Sequence, residues 1–224
     1  MNAKPENTGL EKASGRMVAA LSAQAAVFAG LGLLLWIWSG RAAGNFVILS
    51  WTGALTGVAL AAALILLAFV LFRGFPNIGE RLVRLQAPTF SLLGPRLGWL
   101  PIVLLSLGAG IGEEALLRAG LQTLLSDHLG PMAAILLSSA AFAAIHWAKP
   151  VITALLFAIG AIFGVVFWYT ESLLAVMVGH ALYDIWALRY LHREMHRLNL
   201  FDQPRPEPEP EPQPAPLVNS PGPG

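Results

Sequence analysis

Long apolar stretches alternate with short polar ones along most of this chain. Residues 17–38 are almost wholly apolar, and so are 46–72. Four further apolar stretches follow, at about 100–125 and at 131–147, 151–169 and 172–190. A helix needs roughly 20 apolar residues to cross the hydrocarbon layer, so the pattern predicts about six membrane helices. The stretch after Arg16 is longer than the apolar region of a cleavable signal and reads as the first of them. Trp36 and Trp38 then fall at an interface, where indole rings are favoured.

Between the second and third stretches, residues 73–98 hold Pro76, Pro88, Pro95 and four arginines. This segment reads as a loop with a short surface helix around Ile78–Leu85. After residue 200 the run Pro-Arg-Pro-Glu-Pro-Glu-Pro-Glu-Pro cannot bury a core and is expected to be extended and disordered. Three regions result. Residues 1–98 are a cytosolic lead, two membrane helices and a basic loop. Residues 99–200 are a four-helix core, and 201–224 are a Pro/Glu-rich tail. The fold class expected is an all-α polytopic membrane bundle.

Composition agrees with that class. Hydrophobic residues make up 56% of the chain and charged ones 12%, where a soluble domain carries about a quarter charged. Mean hydropathy is +0.64. The net charge of +1 and the lack of a basic cluster argue against a nucleic-acid partner. There are no cysteines, so disulfides, thiolate metal sites and cysteine nucleophiles are excluded. Lys4, Lys12 and Arg16 precede the first stretch, and Arg73, Arg81, Arg84 and Arg96 lie between the second and third. Lys149 follows the fourth, and Arg189, Arg193 and Arg197 end the last, whereas the alternate connections hold only Arg41. By the positive-inside rule, this predicts six spans in the cell membrane with both termini cytosolic.

Few ionisable residues remain at bilayer depth: Glu113, Glu114, Arg118, His146, His180 and Asp184. Each such charge costs about 2.5–3.5 kcal/mol to insert at a helix centre, so each needs a partner or a purpose. Glu114 and Arg118 are four apart and share a helix face, as do His180 and Asp184. Glu113 is turned about 100° from Glu114 and is free to face elsewhere. Gly108, Gly110 and Gly112 precede the pair and permit close helix approach. Gly160 and Gly164 form a common packing motif. A carboxylate and two imidazoles in a poorly solvated pocket can polarise a water, or hold a divalent metal that does so. Hydrolysis is the reaction class either arrangement suits. His128, His192 and His196 read as interfacial or solvated.

Three motifs occur in order: Glu113-Glu114-x-x-x-Arg118, Phe142-x-x-x-His146 and His180-x-x-x-Asp184. Together they resemble the CAAX prenyl protease 2 and bacteriocin-processing (CPBP, or Abi) family of intramembrane proteases, over about residues 95–190. The resemblance implies that Glu113 activates the attacking water. It implies that His146 and His180 orient that water or bind a metal such as zinc with Glu113, and that Asp184 supports the oxyanion or the water. Glu114 and Arg118 would be a structural pair. Asp184 stands where eukaryotic prenyl proteases usually have Asn, which leaves oxyanion donor and metal ligand both open for it. The expected partners are lipid and a peptide or membrane-anchored substrate. The other readings are a non-enzymatic scaffold or bacteriocin self-immunity protein of the same fold, and a small transporter. The first two stretches carry no ionisable residue, which disfavours transport.

Overall fold

The computed structural model describes residues 5–146 and 148–201, with side chains from residue 15 onward. The Pro/Glu tail from 202 and the side chains of the N-terminal lead lie outside the described residues.

Every regular element among the described residues is helical. They are α1 (Pro5–Trp38), α2 (Trp51–Gly74), α3 (Pro76–Phe90), α4 (Trp99–Glu114), a π-helical segment (Ala115–Gln122), α5 (Thr123–Leu129), α6 (Pro131–Ile145), α7 (Pro150–Thr170) and α8 (Leu173–Arg197). Local chemistry sets most of the boundaries. The Ser50 hydroxyl accepts from Gly53 N–H at 3.1 Å to cap α2, and Ser172 accepts from Ala175 N–H at 3.2 Å to cap α8. Proline opens α3, α6 and α7, where its missing N–H is no loss. Gly130, at φ +80°, makes the turn between α5 and α6.

Four helices are long and apolar enough to cross a membrane: Gly15–Trp38, Trp51–Gly74, the continuous rod Trp99–Leu129 and Pro150–Thr170. They place the chain in a lipid bilayer. The second is shorter than the apolar run suggests, because residues 43–45 form a 3₁₀ turn before Ser50. The basic segment holds a longer helix than expected, α3, which runs through Pro88. Its buried residues, Gly79, Val83 and Ala87, lie on one face. Val83 and Ala87 join Leu191 and Met195 of α8 in one apolar cluster.

The core packs α4 against α8, α2 against α8, α6 against α7, and α1 along α4 and the π segment. Glycine permits close crossings on both sides of α4. A Cβ on Gly110 would stand 2.8 Å from Ala181 N and Met177 O of α8. One on Gly112 would stand 2.7 Å from Ala25 O of α1. The first crossing brings α4 and α8 into register, with Glu113 and Glu114 one turn above it.

The rod is not α-helical throughout: the residues directly after the glutamate pair are π-helical. Nothing in Ala-Leu-Leu-Arg-Ala-Gly-Leu-Gln marks that change. It is imposed from outside, because the buried Arg118 and Gln122 both turn into the bundle, a placement typical of π segments at functional sites. Helix α6 has only 15 residues. At 1.5 Å per residue it is about 22 Å long, so its C-terminal end stops short of the roughly 30 Å a full crossing needs.

Candidate active site

Glu113 and Glu114 are neighbours with different surroundings. The Glu114 side chain is fully buried and shares its two oxygens between two helices. Oε2 accepts from Arg118 Nε at 3.1 Å, and Oε1 accepts from His180 Nδ1 of α8 at 2.8 Å. The pairing of Glu114 with Arg118 is therefore formed, and His180 is added to it. Arg118 continues inward, with Nη1 donating to Ser138 Oγ of α6 at 3.1 Å and to Gln122 Oε1 at 3.4 Å. Gln122 Nε2 donates to the Gly164 carbonyl of α7 at 2.9 Å. The guanidinium lies 5.9 Å from the Phe142 ring centre. Five elements, α4, the π segment, α6, α7 and α8, are thereby tied through buried hydrogen bonds, those of Glu114 and Arg118 charge-assisted.

Gln122 and Ser138 were not singled out from the sequence, and an amide and a hydroxyl among apolar residues give little signal. The Gly160 and Gly164 motif had been read as packing. Its function is to make room for this network, since a Cβ on Gly164 would stand 2.9 Å from Gln122 Oε1 and one on Gly160 3.4 Å from Arg118 Nη2.

Glu113 has no such partners. Its side chain is 15% exposed, and its Oε2 lies 3.9 Å from His146 Nε2. That is too long for a hydrogen bond and within the span of one bridging water. Oε2 is itself buried and accepts no hydrogen bond. His146 closes α6 and leans back on its own helix, with Nδ1 2.8 Å from the Phe142 carbonyl. A carbonyl can only accept, so Nδ1 carries the proton. In the neutral ring Nε2 then presents a lone pair to Glu113. The His146 side chain is 31% exposed, so the bundle leaves the pair open on that side.

His180 sits on the sealed side. Its ring stacks on Phe163 at 5.2 Å and meets the edge of Phe142 at 6.0 Å. Its Nε2 is 3.5 Å from Asp184 Oδ2, and the Asp184 side chain is 27% exposed. Glu113 is within charge–charge range of His180, His146 and Asp184. The six residues thus gather in one region where α4, the π segment, α6 and α8 meet. Among the described residues no three His, Asp or Glu side chains converge to hold a metal ion. His180 gives Nδ1 to Glu114 and leaves Nε2 beside Asp184, and the expected ligands Glu113, His146 and His180 are not gathered at one point. As placed, they do not fit a metal, and no step below is routed through one.

A buried hydroxyl also lacks a partner: Ser106 Oγ, two turns before Glu113 on α4. Of the outlying histidines, His196 Nε2 donates to the Pro95 carbonyl at 2.9 Å. His192 is half-buried, more enclosed than expected.

No curated protein and no solved structure matches the chain. Residues 95–186, the segment that builds the site and carries the three motifs, match the family model described as Rce1-like, type II CAAX prenyl endopeptidase.

Proposed function

We propose that the protein is an intramembrane endopeptidase of the CAAX-protease type that uses a glutamate-activated water. Its substrate would be a membrane-associated or C-terminal peptide. The observation that carries the reading is the unpartnered Glu113 Oε2 standing 3.9 Å from His146 Nε2. Both are acceptors when Glu113 is ionised and the ring is neutral. The species that satisfies both is a water donating one hydrogen to each. Its oxygen lone pairs then face away from the pair, toward a peptide carbonyl.

In the reaction Glu113 takes a proton as the water oxygen bonds to the carbonyl carbon. It then gives that proton to the leaving nitrogen as the C–N bond breaks. His146 holds the water, and its own tautomer is fixed by Phe142. Asp184 and His180 form the adjoining polar wall and support the water or the developing oxyanion. Glu114 and Arg118 hold His180 in place. The topology belonging to this reading has six spans, with α6 and α8 added to the four long helices and both termini in the cytosol. Glu113 lies 14 residues beyond Trp99, about 21 Å along the helix, so the cleaved bond would lie within the hydrocarbon layer of about 30 Å.

The test is cleavage of a peptide library by purified protein in vesicles. Glu113→Ala or His146→Ala should lower the rate by about 100-fold or more while the protein still inserts and accumulates. Full activity of Glu113→Ala sinks the reading. The same assay run with a chelator separates the chemistry. Loss restored by zinc would assign the nucleophile to a metal on Glu113, His146 and His180, with the Glu114 contact to His180 Nδ1 kept. Complementation of a deletion phenotype by Glu113→Ala would favour a scaffold or self-immunity protein instead.

A further inference from the structure

Among the described residues the His146 ring makes one hydrogen bond, from Nδ1 to the Phe142 carbonyl at 2.8 Å. One bond fixes one atom and leaves the plane of the ring free to turn. Glu113 does not supply the second restraint, because its Oε2 stands 3.9 Å from Nε2, beyond hydrogen-bond range. His146 also closes its helix and is partly exposed, so one side of the imidazole has room to swing. The proposed chemistry nevertheless needs Nε2 aimed at Glu113 across a single water. Another group must hold the ring plane.

The ring of Phe142 is placed to do so. Phe142 is 2% exposed, and its ring centre lies 4.8 Å from that of His146, with the planes 57° apart. The two residues are four apart on α6, so ring and imidazole share a helix face. The same phenyl ring meets His180 of α8 at 6.0 Å and 75°, and the Arg118 guanidinium lies over it at 5.9 Å. From α7, a Cβ on Gly160 would stand 3.1 Å from Phe142 Cδ1. These are separations at which ring–ring and cation–ring contacts are favourable. Arg118 and His180 are themselves fixed by Glu114. Phe142 therefore touches groups held by the sealed network on one hand and the imidazole of the open side on the other. An aliphatic side chain of similar volume would fill the space and offer His146 no flat face.

We infer that Phe142 is the positioning residue for His146, its buried ring setting the imidazole plane and with it the gap in which Glu113 and His146 share a water. The catalytic consequence rests on the hydrolytic reading above, whereas the hold on the imidazole is a property of the fold alone. The two can therefore fail separately.

The experiment uses the full chain in vesicles and reads both cleavage kinetics and nitrogen NMR of histidine-labelled protein. Wild type should show one Nδ1–H tautomer signal for His146. Phe142→Leu keeps the carbonyl and most of the volume but removes the ring. Its kcat should fall by about tenfold or more with KM within about twofold, and its His146 signal should split or broaden. Gly160→Ala presses on the phenyl ring from α7, and His146 is not among the nearest neighbours of the added methyl. It should shift the His146 signal and lower kcat by about threefold, and it decides the matter if the leucine protein fails to accumulate. Phe163→Leu removes the ring stacked on His180 at 5.2 Å. It should move the His180 signal and leave that of His146 in place. An unchanged His146 signal in Phe142→Leu and Gly160→Ala overturns the proposal, even if both proteins melt early. An altered signal with undiminished kcat overturns it as well, because the plane would then not matter to the water. An altered signal in a protein whose cleavage never depended on Glu113 would sink the hydrolytic reading and leave the hold of Phe142 on His146 standing.

Discussion

Glu113 and Glu114 differ by one residue and one peptide bond, yet the bundle treats them oppositely. Glu114 is fully buried and spends both oxygens on Arg118 and His180. Glu113 is partly exposed, and one of its oxygens has no donor at all. The rotation of about 100° between neighbours on a helix sends one carboxylate into the network with α6, α7 and α8 and the other to the end of α6. Glu114 is sealed from water with a donor on each oxygen, whereas Glu113 Oε2 is free to accept from one. The sealed side should therefore govern whether the protein folds, and the open side whether it reacts.

The largest effect should come from opening the sealed side. Arg118→Ala leaves Glu114 charged and short of a donor in a buried setting, a change that typically costs about 3–5 kcal/mol. Thermal unfolding in detergent should show a protein that barely accumulates, with whatever remains melting well below wild type. On the open side, Glu113→Gln keeps shape and removes the base. Peptide cleavage should fall by about 10²–10⁴-fold with the melting temperature held or raised, since no donor loses a partner. If both variants lost stability equally, the division between the two glutamates would be wrong.

Much of this division was legible in the sequence. The spacing of Glu114 and Arg118 placed them on one helix face, and Glu113 followed as the odd one out. The glycines before them implied close crossings, which Gly110 and Gly112 make. What was not legible arises from tertiary contact. His180 was read beside the water with Asp184, and no spacing within α8 shows that its Nδ1 also meets Glu114 on α4. Gln122 and Ser138 look like minor polar residues in apolar helices until Arg118 lies between them. The π segment has no sequence mark, because its geometry answers the packing around it. Helix α6 was expected to run to 147 and ends at Ile145, leaving His146 as its cap.

The open side can be dissected at His146, where the two ring nitrogens have separate duties. Nδ1 donates to the Phe142 carbonyl, and Nε2 faces Glu113. His146→Gln places an amide near the Nε2 position, while His146→Asn places one near Nδ1. The expected order of cleavage rates is wild type, then Gln, then Asn, with the Asn protein down by about 100-fold. Both should melt within about 0.5 kcal/mol of wild type, as suits a partly exposed cap. Equal rates for Gln and Asn would mean that the Nε2 lone pair is not what holds the water. A smaller structural effect is expected at Gly164, where Ala would press on Gln122 Oε1. Overpacking of that kind costs about 1–3 kcal/mol, read as a lowered melting temperature with the cleavage pH profile unchanged.

The smallest effect concerns Ser106, which separates an unsatisfied group that matters from one that does not. Its hydroxyl and Glu113 Oε2 are both buried on α4 and both lack a partner. A neutral hydroxyl in that state gains nothing from the fold and loses its hydration, so its removal leaves no donor or acceptor stranded. Ser106→Ala should be neutral or stabilising by up to about 1 kcal/mol, with cleavage unchanged. The two orphaned atoms would then differ by function rather than by environment: Glu113 keeps its cost because a charged oxygen can accept a proton from water, and Ser106 cannot. A fall in cleavage rate for Ser106→Ala at full stability would place its hydroxyl on the route by which water reaches Glu113, and would erase that distinction.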